Sequence, residues 1–211
     1  MLVLPLNEET TLCNSPARFR TRRSGIAGFS MVELAVSLTV LLILTAIAIP
    51  SLMRSFRTYQ LNDAAARLSD MLKFTRFEAV RQNKRVCFLM QQSGSTWIVG
   101  TDSTCIGTLD ANGKRQVIAG FATLLPAGAP PSSAPILAKL GATSSLDASK
   151  SGAAGSITFD ARGAVTSLLA YVLYLGSANN PEFGYRAVIL LPSGATQIWT
   201  APNGGTWQRI G

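Results

Sequence analysis

The sequence of residues 28–33 is Gly28-Phe29-Ser30-Met31-Val32-Glu33, and the apolar run Leu34–Ile49 follows at once. This run has no charged residue, and its only polar side chains are three hydroxyl groups. A helix needs about 20 apolar residues to cross a bilayer, and the segment from Phe29 to Pro50 is long enough. Glu33 lies at its head, although an acid costs about 2–3 kcal/mol at the centre of a span and less near the interface. We therefore expect a membrane helix whose single acid has a dedicated partner.

The residues before this segment are basic. Four arginines precede it, with no acid between them and Glu33: Arg18, Arg20, Arg22 and Arg23. Short basic segments beside a membrane helix stay in the cytoplasm. The N-terminus is therefore predicted to be cytoplasmic, and everything after Pro50 is predicted to lie outside the cytoplasm.

The arrangement of basic leader, Gly-Phe-Ser, glutamate and apolar helix resembles the class III signal of type IV pilins and of type II secretion pseudopilins. The resemblance implies that residues 1–28 are a leader peptide and that a prepilin peptidase cuts after Gly28. It also implies that the same enzyme methylates the new N-terminus at Phe29. In that family the glutamate, here Glu33, pairs with the N-terminal amine of a neighbouring subunit during filament assembly.

The first 50 residues also fit an ordinary secretory signal peptide or a plain single-span membrane anchor. Ala46-Ile47-Ala48 matches the small-x-small cleavage pattern of a secretory signal. Glu33 would then lie inside the hydrophobic region of that signal, where it has no role. A plain anchor would account for the apolar run alone, so both alternatives stay open at this point.

Charge and length limit what the rest of the chain can be. Length and apolar content suit one globular domain beyond the anchor. The chain has 19 Lys and Arg against 11 Asp and Glu, and loss of the leader would leave 15 against 9. Such a moderate positive charge favours anionic partners, for example nucleic acid or lipid headgroups, without identifying one.

The three cysteines are divided between the leader and the domain. Cys13 would be lost with the leader, whereas Cys87 and Cys105 remain as an even pair in an oxidising compartment. We therefore expect a disulfide, with two separate buried thiols as the alternative. The sequence has no histidine and no CxxC pair. Neither a zinc site nor a histidine-based catalytic site is expected, and no cofactor is predicted.

Beyond Pro50 the apolar residues recur at steps of three and four up to about Lys84. This pattern predicts one long helix with a transmembrane half at 29–52 and an amphipathic half at 53–84, kinked at Pro50. The resemblance to pilins implies that the first half also forms the filament core. After Asn83 the period becomes that of strands, so residues 85–211 are predicted to be β-rich. The predicted fold class is therefore α+β. The resemblance to pilins implies a pilin-like fold, in which the long helix packs on an antiparallel sheet domain.

Strands are expected in seven segments: Arg85–Met90, Thr96–Val99, Gln116–Phe121, Ser156–Phe159, Leu169–Leu175, Tyr185–Leu191 and Thr196–Thr200. The first two flank Ser93-Gly94-Ser95, a hairpin signal. Residues 126–156 are rich in Pro, Ala, Gly and Ser, and are predicted to form a flexible loop inserted in the domain.

Three motifs of this half resemble the GspH/FimT family of minor pseudopilins. They are the helical stretch Arg76-Phe77-Glu78-Ala79-Val80, the Phe-Asp-x-Arg-Gly turn at Phe159–Gly163, and the Ser-Gly hairpin turn at Ser193-Gly194. In the second motif Asp160 is expected to bond turn amides, Arg162 occupies the arginine position, and Gly163 is expected to take a positive φ.

The resemblance implies a non-catalytic structural subunit at or near the tip of a periplasmic pseudopilus or pilus. Its expected partners are other pseudopilins, bound through the N-terminal helix, together with the prepilin peptidase and the inner membrane. The expected location is the bacterial inner membrane, with one span and a periplasmic C-terminal domain.

The alternative is a membrane-anchored DNA-binding minor pilin of natural transformation. Some FimT-type pilins bind DNA through arginines after the Ser-Gly turn, where this chain has Gly194-Ala195-Thr196-Gln197. A basic cluster near the helix end, Arg76, Arg81, Lys84 and Arg85, is a weaker candidate for phosphate contact. A solvated helix face explains that cluster better, so DNA is not the favoured partner.

Overall fold

The computed structural model describes residues 28–126 and 154–210. The leader up to residue 27 and most of the predicted loop at 126–156 lie outside these ranges. The chain divides into two units, Met1–Thr45 and Ala46–Gly211. A single helix of 52 residues, α1 (Met31–Gln82), contributes to both and continues through Pro50 without interruption.

Local sequence explains both ends of α1. The side-chain oxygen of Ser30 accepts a hydrogen bond from the Val32 N–H at 3.3 Å, so Ser30 is the N-cap. At the other end Asn83 has φ 49°, and Lys84 N–H donates to the Ala79 carbonyl at 3.2 Å. Asn83 N–H donates to the Val80 carbonyl, also at 3.2 Å. This is a Schellman motif, which ends the helix at Gln82, two residues before the predicted boundary.

The described strands form two antiparallel sheets in the unit that begins at Ala46. The first has the strand order β3-β2-β1-β5. Its members are β1 (Val86–Ser93), β2 (Thr96–Asp102), β3 (Arg115–Ile118) and β5 (Ala154–Phe159). β1 and β2 pair as a hairpin that begins at Ser93 opposite Thr96, as the sequence predicts.

The second sheet has the strand order β4-β6-β7-β8-β9. Its members are β4 (Thr123–Leu125), β6 (Tyr171–Gly176), β7 (Tyr185–Leu190), β8 (Thr196–Ala201) and β9 (Gln208–Arg209). A single 3₁₀ turn, Pro181–Phe183, lies between β6 and β7. The predicted α+β fold, a long helix packed on antiparallel sheets, is confirmed.

The main hydrophobic core lies between α1 and both sheets. Its helical members are fully or almost fully buried: Leu61, Ala64, Ala65, Leu68, Met71, Leu72 and Ala79. They repeat at three- and four-residue steps, as predicted from the sequence. A second cluster, which includes Trp199 and Trp207, packs on residues of the second sheet.

One strand prediction is wrong in its second half. The sequence predicts a continuous strand over Gln116–Phe121, but β3 ends at Ile118. Gly120 then takes φ +81°, and the chain turns from the first sheet into β4 of the second. Neither β4 nor the two-residue β9 is expected from the sequence, because both are shorter than the period-2 signal can reveal.

Candidate functional site

The first candidate site is the N-terminal part of α1 and the residues that precede it. Gly28 and Phe29 are exposed and lie outside the helix, and Glu33 is exposed in its first turn. Ser30 and Glu33 occupy the N-cap and N3 positions of α1, which is the S-x-x-E spacing of a capping box. The sequence-based prediction assigned Glu33 to assembly alone, although this spacing also suits its side chain to capping of the first turn.

The apolar side chains of this part of α1 have no protein partner among the described residues. Met31 is 92% exposed, and the large apolar residues from there to Ile49 are all at least half exposed. The helix has a mean hydropathy of 2.5 over its most apolar window, and it is long and apolar enough to cross a membrane. Length and composition alone do not distinguish a span from a signal sequence.

Two of the three hydroxyl groups inside the apolar run are satisfied within the helix. The Thr39 hydroxyl donates to the Ala35 carbonyl at 2.8 Å, and the Thr45 hydroxyl donates to the Leu41 carbonyl at 3.0 Å. A hydroxyl that bonds to its own helix needs no water. The segment can therefore enter an apolar environment without leaving these two groups unpaired.

The three GspH/FimT-like motifs, far apart in sequence, meet at the C-terminal part of α1. The carboxylate of Asp160 accepts hydrogen bonds from the backbone N–H groups of Arg162 at 2.9 Å and Ala164 at 2.8 Å. Gly163 has φ +78°, so Asp160 and Gly163 have the positions expected of this turn. The Arg162 side chain is exposed.

Arg76 lies beneath both turns. A Cβ atom added to Gly163 would lie 3.0 Å from the Arg76 side chain, and one added to Gly194 would lie 2.8 Å from Arg76 Nε. At Gly194 the same atom would also come within 2.1 Å of the Gly163 carbonyl oxygen. Both glycines are therefore required by close approach as well as by positive φ. The motifs form one packed structural junction.

This junction changes the interpretation of the basic cluster. Arg76 is half-buried under the turns, and Arg81 donates from Nε to the Glu78 carboxylate at 2.9 Å. Hydrogen bonding from Arg81 lowers the pKa of Glu78, despite an opposing effect of burial, and Gln82 also donates to that carboxylate. Lys84 and Arg85 remain exposed. The structure thus does not bring the four cations together as one free anion-binding surface.

The predicted disulfide is present: Cys87 of β1 and Cys105 are bonded, with their Cα atoms 5.2 Å apart. Cys105 follows β2 in a loop where it has φ 55°. Asp102, which is 1% exposed, organises this loop by accepting hydrogen bonds from the Thr104 and Gly107 backbone N–H groups at 3.0 and 2.7 Å. Burial acts to raise the pKa of Asp102, but these hydrogen bonds and one from the Thr104 hydroxyl together lower it.

Asp110 holds the other side of the loop. Its carboxylate accepts hydrogen bonds from the Ser103 backbone N–H at 3.0 Å and from the Ser103 hydroxyl at 2.9 Å. The acids of this region are therefore engaged by the chain itself. Within residues 28–126 and 154–210, no group of three or more His, Cys, Asp or Glu residues is arranged to hold a metal ion.

A buried cation was not anticipated from the sequence. Arg186 of β7 is 6% exposed; it donates from Nε to the Asn62 side-chain oxygen at 2.6 Å and from Nη1 to the Tyr185 carbonyl at 3.0 Å. Burial lowers the pKa of its guanidinium. The hydrogen bond to Asn62 ties the second sheet to α1 at the end of the core where the helix enters the globular unit.

The chain is similar to known proteins in its sequence profile and in its structure. The family profile described as Type II transport protein GspH matches residues 64–194. The type IV minor pilin FimU of Pseudomonas aeruginosa strain PAO1 is similar in two crystal forms. In space group P21 it has 17% identity and a TM-score of 0.47, over 72% of this chain and 93% of that chain. In space group P65 the values are 18% and 0.43, over 71% and 97%. No curated protein matches the chain.

Proposed function

This chain belongs to the family of the type II transport protein GspH, and we propose that it is a non-catalytic minor pseudopilin at or near the tip of a periplasmic filament. The family comprises minor pilins and pseudopilins of type II secretion and type IV pilus systems. The features described above are compatible with either machine.

The observation that carries this proposal is the exposure of the apolar side chains between Met31 and Ile49. Burial of one large apolar side chain contributes about 1.5–3 kcal/mol. Leaving about a dozen of them in water would therefore cost on the order of 20 kcal/mol. The segment needs an apolar environment outside its own chain, which the bilayer supplies before assembly and neighbouring helices supply within a filament.

The proposed orientation in the membrane follows from charge. Four arginines lie before Gly28, whereas the apolar run itself is uncharged. The positive-inside rule then places the N-terminus in the cytoplasm and the globular unit in the periplasm. Formation of the Cys87–Cys105 disulfide suits an oxidising compartment and supports this orientation.

The residues from the N-terminus to Glu33 have proposed roles in processing and in filament assembly. A prepilin peptidase removes residues 1–28 and methylates Phe29. The charged amine of Phe29 then needs a partner in a medium of low dielectric, and Glu33 of a neighbouring subunit provides it. An unpaired charge in such surroundings is strongly destabilising.

Replacement of Glu33 tests the proposal and separates its two roles. Glu33→Ala removes both the charge and the N3 group of the capping box, whereas Glu33→Gln removes the charge and retains a capping side chain. Ser37→Ala, one turn later in the same run, is the matched control. Each full-length variant would be expressed with its partner pilins, and co-purification from membranes would be measured.

We expect both Glu33 variants to be processed and inserted but recovered with the other pilins at least about tenfold less than the wild type. Ser37→Ala should be recovered normally. Normal recovery of both Glu33 variants would show that the acid has no assembly role. Recovery restored by Glu33→Gln alone would assign Glu33 to helix capping instead of charge pairing.

A further inference from the structure

A polar cavity of about 540 Å³ lies in the globular unit where α1 enters it. Every residue of α1 from Ala46 to Phe56 is exposed, Arg57 is the first that is partly buried, and Leu61 is the first that is fully buried. Arg57 lines the cavity, together with the β1–β2 turn, the segment before β4 and the loop after β6. The cavity is therefore at the helix-entry end of the core.

Arg57 is the cation of this cavity, and its orientation is fixed. Its Nη1 donates to the Gln60 side-chain oxygen at 3.2 Å, and its Cζ lies 4.8 Å from the centre of the Phe121 ring. Phe121 is itself held edge to face by Phe183, with ring centres 5.0 Å apart. Among the described residues, no carboxylate forms an ion pair with Arg57. With respect to the part of the chain that the structure describes, its positive charge is thus open to an anionic ligand.

The other polar groups of the cavity wall are neutral. They are the hydroxyl and amide side chains of Gln92, Ser95, Thr123, Ser177, Asn179 and Asn180. Glu182 contacts this wall by accepting a hydrogen bond from the Asn180 amide at 3.1 Å, but it does not itself line the cavity. One guanidinium with neutral donors around it suits a singly charged phosphate ester that carries hydroxyl groups.

Arg57 follows Ile49, the last residue of the apolar run, by eight residues along α1. The rise of 1.5 Å per residue puts Arg57 about 12 Å beyond Ile49 and about 7–8 Å beyond Leu52, where the predicted span ends. The headgroup layer extends about 5–8 Å beyond the hydrocarbon core on each side of a bilayer. The long Arg57 side chain can therefore reach lipid phosphates if α1 spans the membrane as proposed.

We propose that this cavity binds the phosphate headgroup of an anionic lipid in the outer leaflet while the subunit awaits assembly. The inference rests on the proposed membrane span. Phosphate oxygens bind the guanidinium of Arg57, and the glycerol hydroxyls of the headgroup contact the amides and hydroxyls of the wall. The headgroup would then hold the globular unit at the membrane surface.

The test uses the full mature chain in nanodiscs of phosphatidylcholine, with or without phosphatidylglycerol. Hydrogen exchange of the amides at residues 92–95 and 177–180 is the readout. Arg57→Gln removes the charge from the cavity, and Arg54→Gln removes an equal charge three residues earlier, at an exposed position outside it. Asn179→Asp adds a negative charge to the wall without changing the helix.

We expect phosphatidylglycerol to slow exchange in these segments about fivefold in the wild type and in Arg54→Gln. Arg57→Gln and Asn179→Asp should lose this protection. Equal protection in Arg57→Gln, or its loss in Arg54→Gln, would overturn the inference. Tryptophan fluorescence of each variant establishes that the globular unit is folded.

Two further measurements are needed. One distinguishes a lipid phosphate from a soluble phosphate, and the other distinguishes failure of the headgroup site from failure of the proposed membrane span. Soluble glycerol phosphate is added to the detergent-solubilised chain without a bilayer. Protection by that compound, with none from phosphatidylglycerol nanodiscs, would overturn the lipid assignment. Failure of the chain to enter nanodiscs would refute the proposed membrane span, whereas insertion without Arg57-dependent protection would refute the headgroup site alone.

Discussion

The two halves of α1 belong to one continuous helix but have opposite surroundings. Leu42 in the N-terminal half is 62% exposed, whereas Leu68 in the C-terminal half is fully buried against the sheets. The N-terminal half is apolar on every side, and the C-terminal half is apolar on one face only. A helix that is apolar on every side must therefore find its apolar surroundings outside its own chain.

This comparison predicts that the same substitution destabilises the globular unit in the C-terminal half of α1 and has no effect on it in the N-terminal half. Leu68→Ala removes a fully buried side chain and should lower the free energy of unfolding of the globular unit by about 3–4 kcal/mol. Leu42→Ala should leave it unchanged. All three tryptophans, Trp97, Trp199 and Trp207, lie in the globular unit, so urea unfolding followed by tryptophan fluorescence reports on that unit. Equal destabilisation by the two variants would contradict the division.

A second prediction concerns the disulfide, which stabilises the globular unit that contains the buried half of α1. The bond closes a loop of 18 residues and should contribute about 3 kcal/mol in the chain-entropy model. Cys87→Ser with Cys105→Ser should lower the urea midpoint accordingly. A reducing agent should lower the wild-type midpoint as much and leave that of the double variant unchanged. A midpoint in the wild type that does not respond to reduction would show that the bond does not stabilise the unit.

The junction of turns over Arg76 gives a third prediction. Gly194→Ala would bring a Cβ atom to 2.1 Å from the Gly163 carbonyl oxygen at φ +79°. We expect a loss of about 2–3 kcal/mol from steric overlap and backbone strain together. Gly204→Ala, at φ +69° with nothing within 4 Å, is the control and should cost only about 1 kcal/mol. Similar losses at both sites would mean that the close approach at Arg76 is unimportant.

The fourth and smallest effect concerns pH. Because hydrogen bonds hold the folded pKa of Asp102 below its unfolded value, its ionised form stabilises the fold above about pH 4. That contribution is lost as the pH falls through the folded pKa. Asp102→Asn should cost about 1–2 kcal/mol at neutral pH and should flatten the acid side of the stability profile. An unchanged acid profile in Asp102→Asn would assign the acid sensitivity to other carboxylates.

Much of this architecture could be predicted from the sequence, because the deciding signals are local and periodic. The buried stripe of α1, the β1–β2 hairpin and the Asp160–Gly163 turn each depend on a few neighbouring residues. The switch between sheets at Gly120 was missed because one glycine in an apolar run fits a strand as well as a turn. The packing of Arg76 against Gly163 and Gly194 depends on contacts between distant segments, and no local pattern reveals such contacts.

For the charged residues too, contacts between near neighbours in sequence are predictable, whereas contacts between distant segments are not. Arg81 and Glu78 are three residues apart on one helix, so their ion pair could have been anticipated from spacing. The burial of Arg186 against Asn62 joins residues 124 positions apart in sequence. The largely apolar sequence of β7 did not show that an arginine would occupy the helix-facing side of the sheet.

The intact mass of the mature chain, purified from membranes, tests the central claim most directly. If the exposed half of α1 is retained as the membrane and filament helix, the mass should correspond to a chain that begins at Phe29 and carries one added methyl group. A chain that begins at Ile49, after cleavage behind Ala48, would have lost the exposed half altogether and would contradict the pilin account.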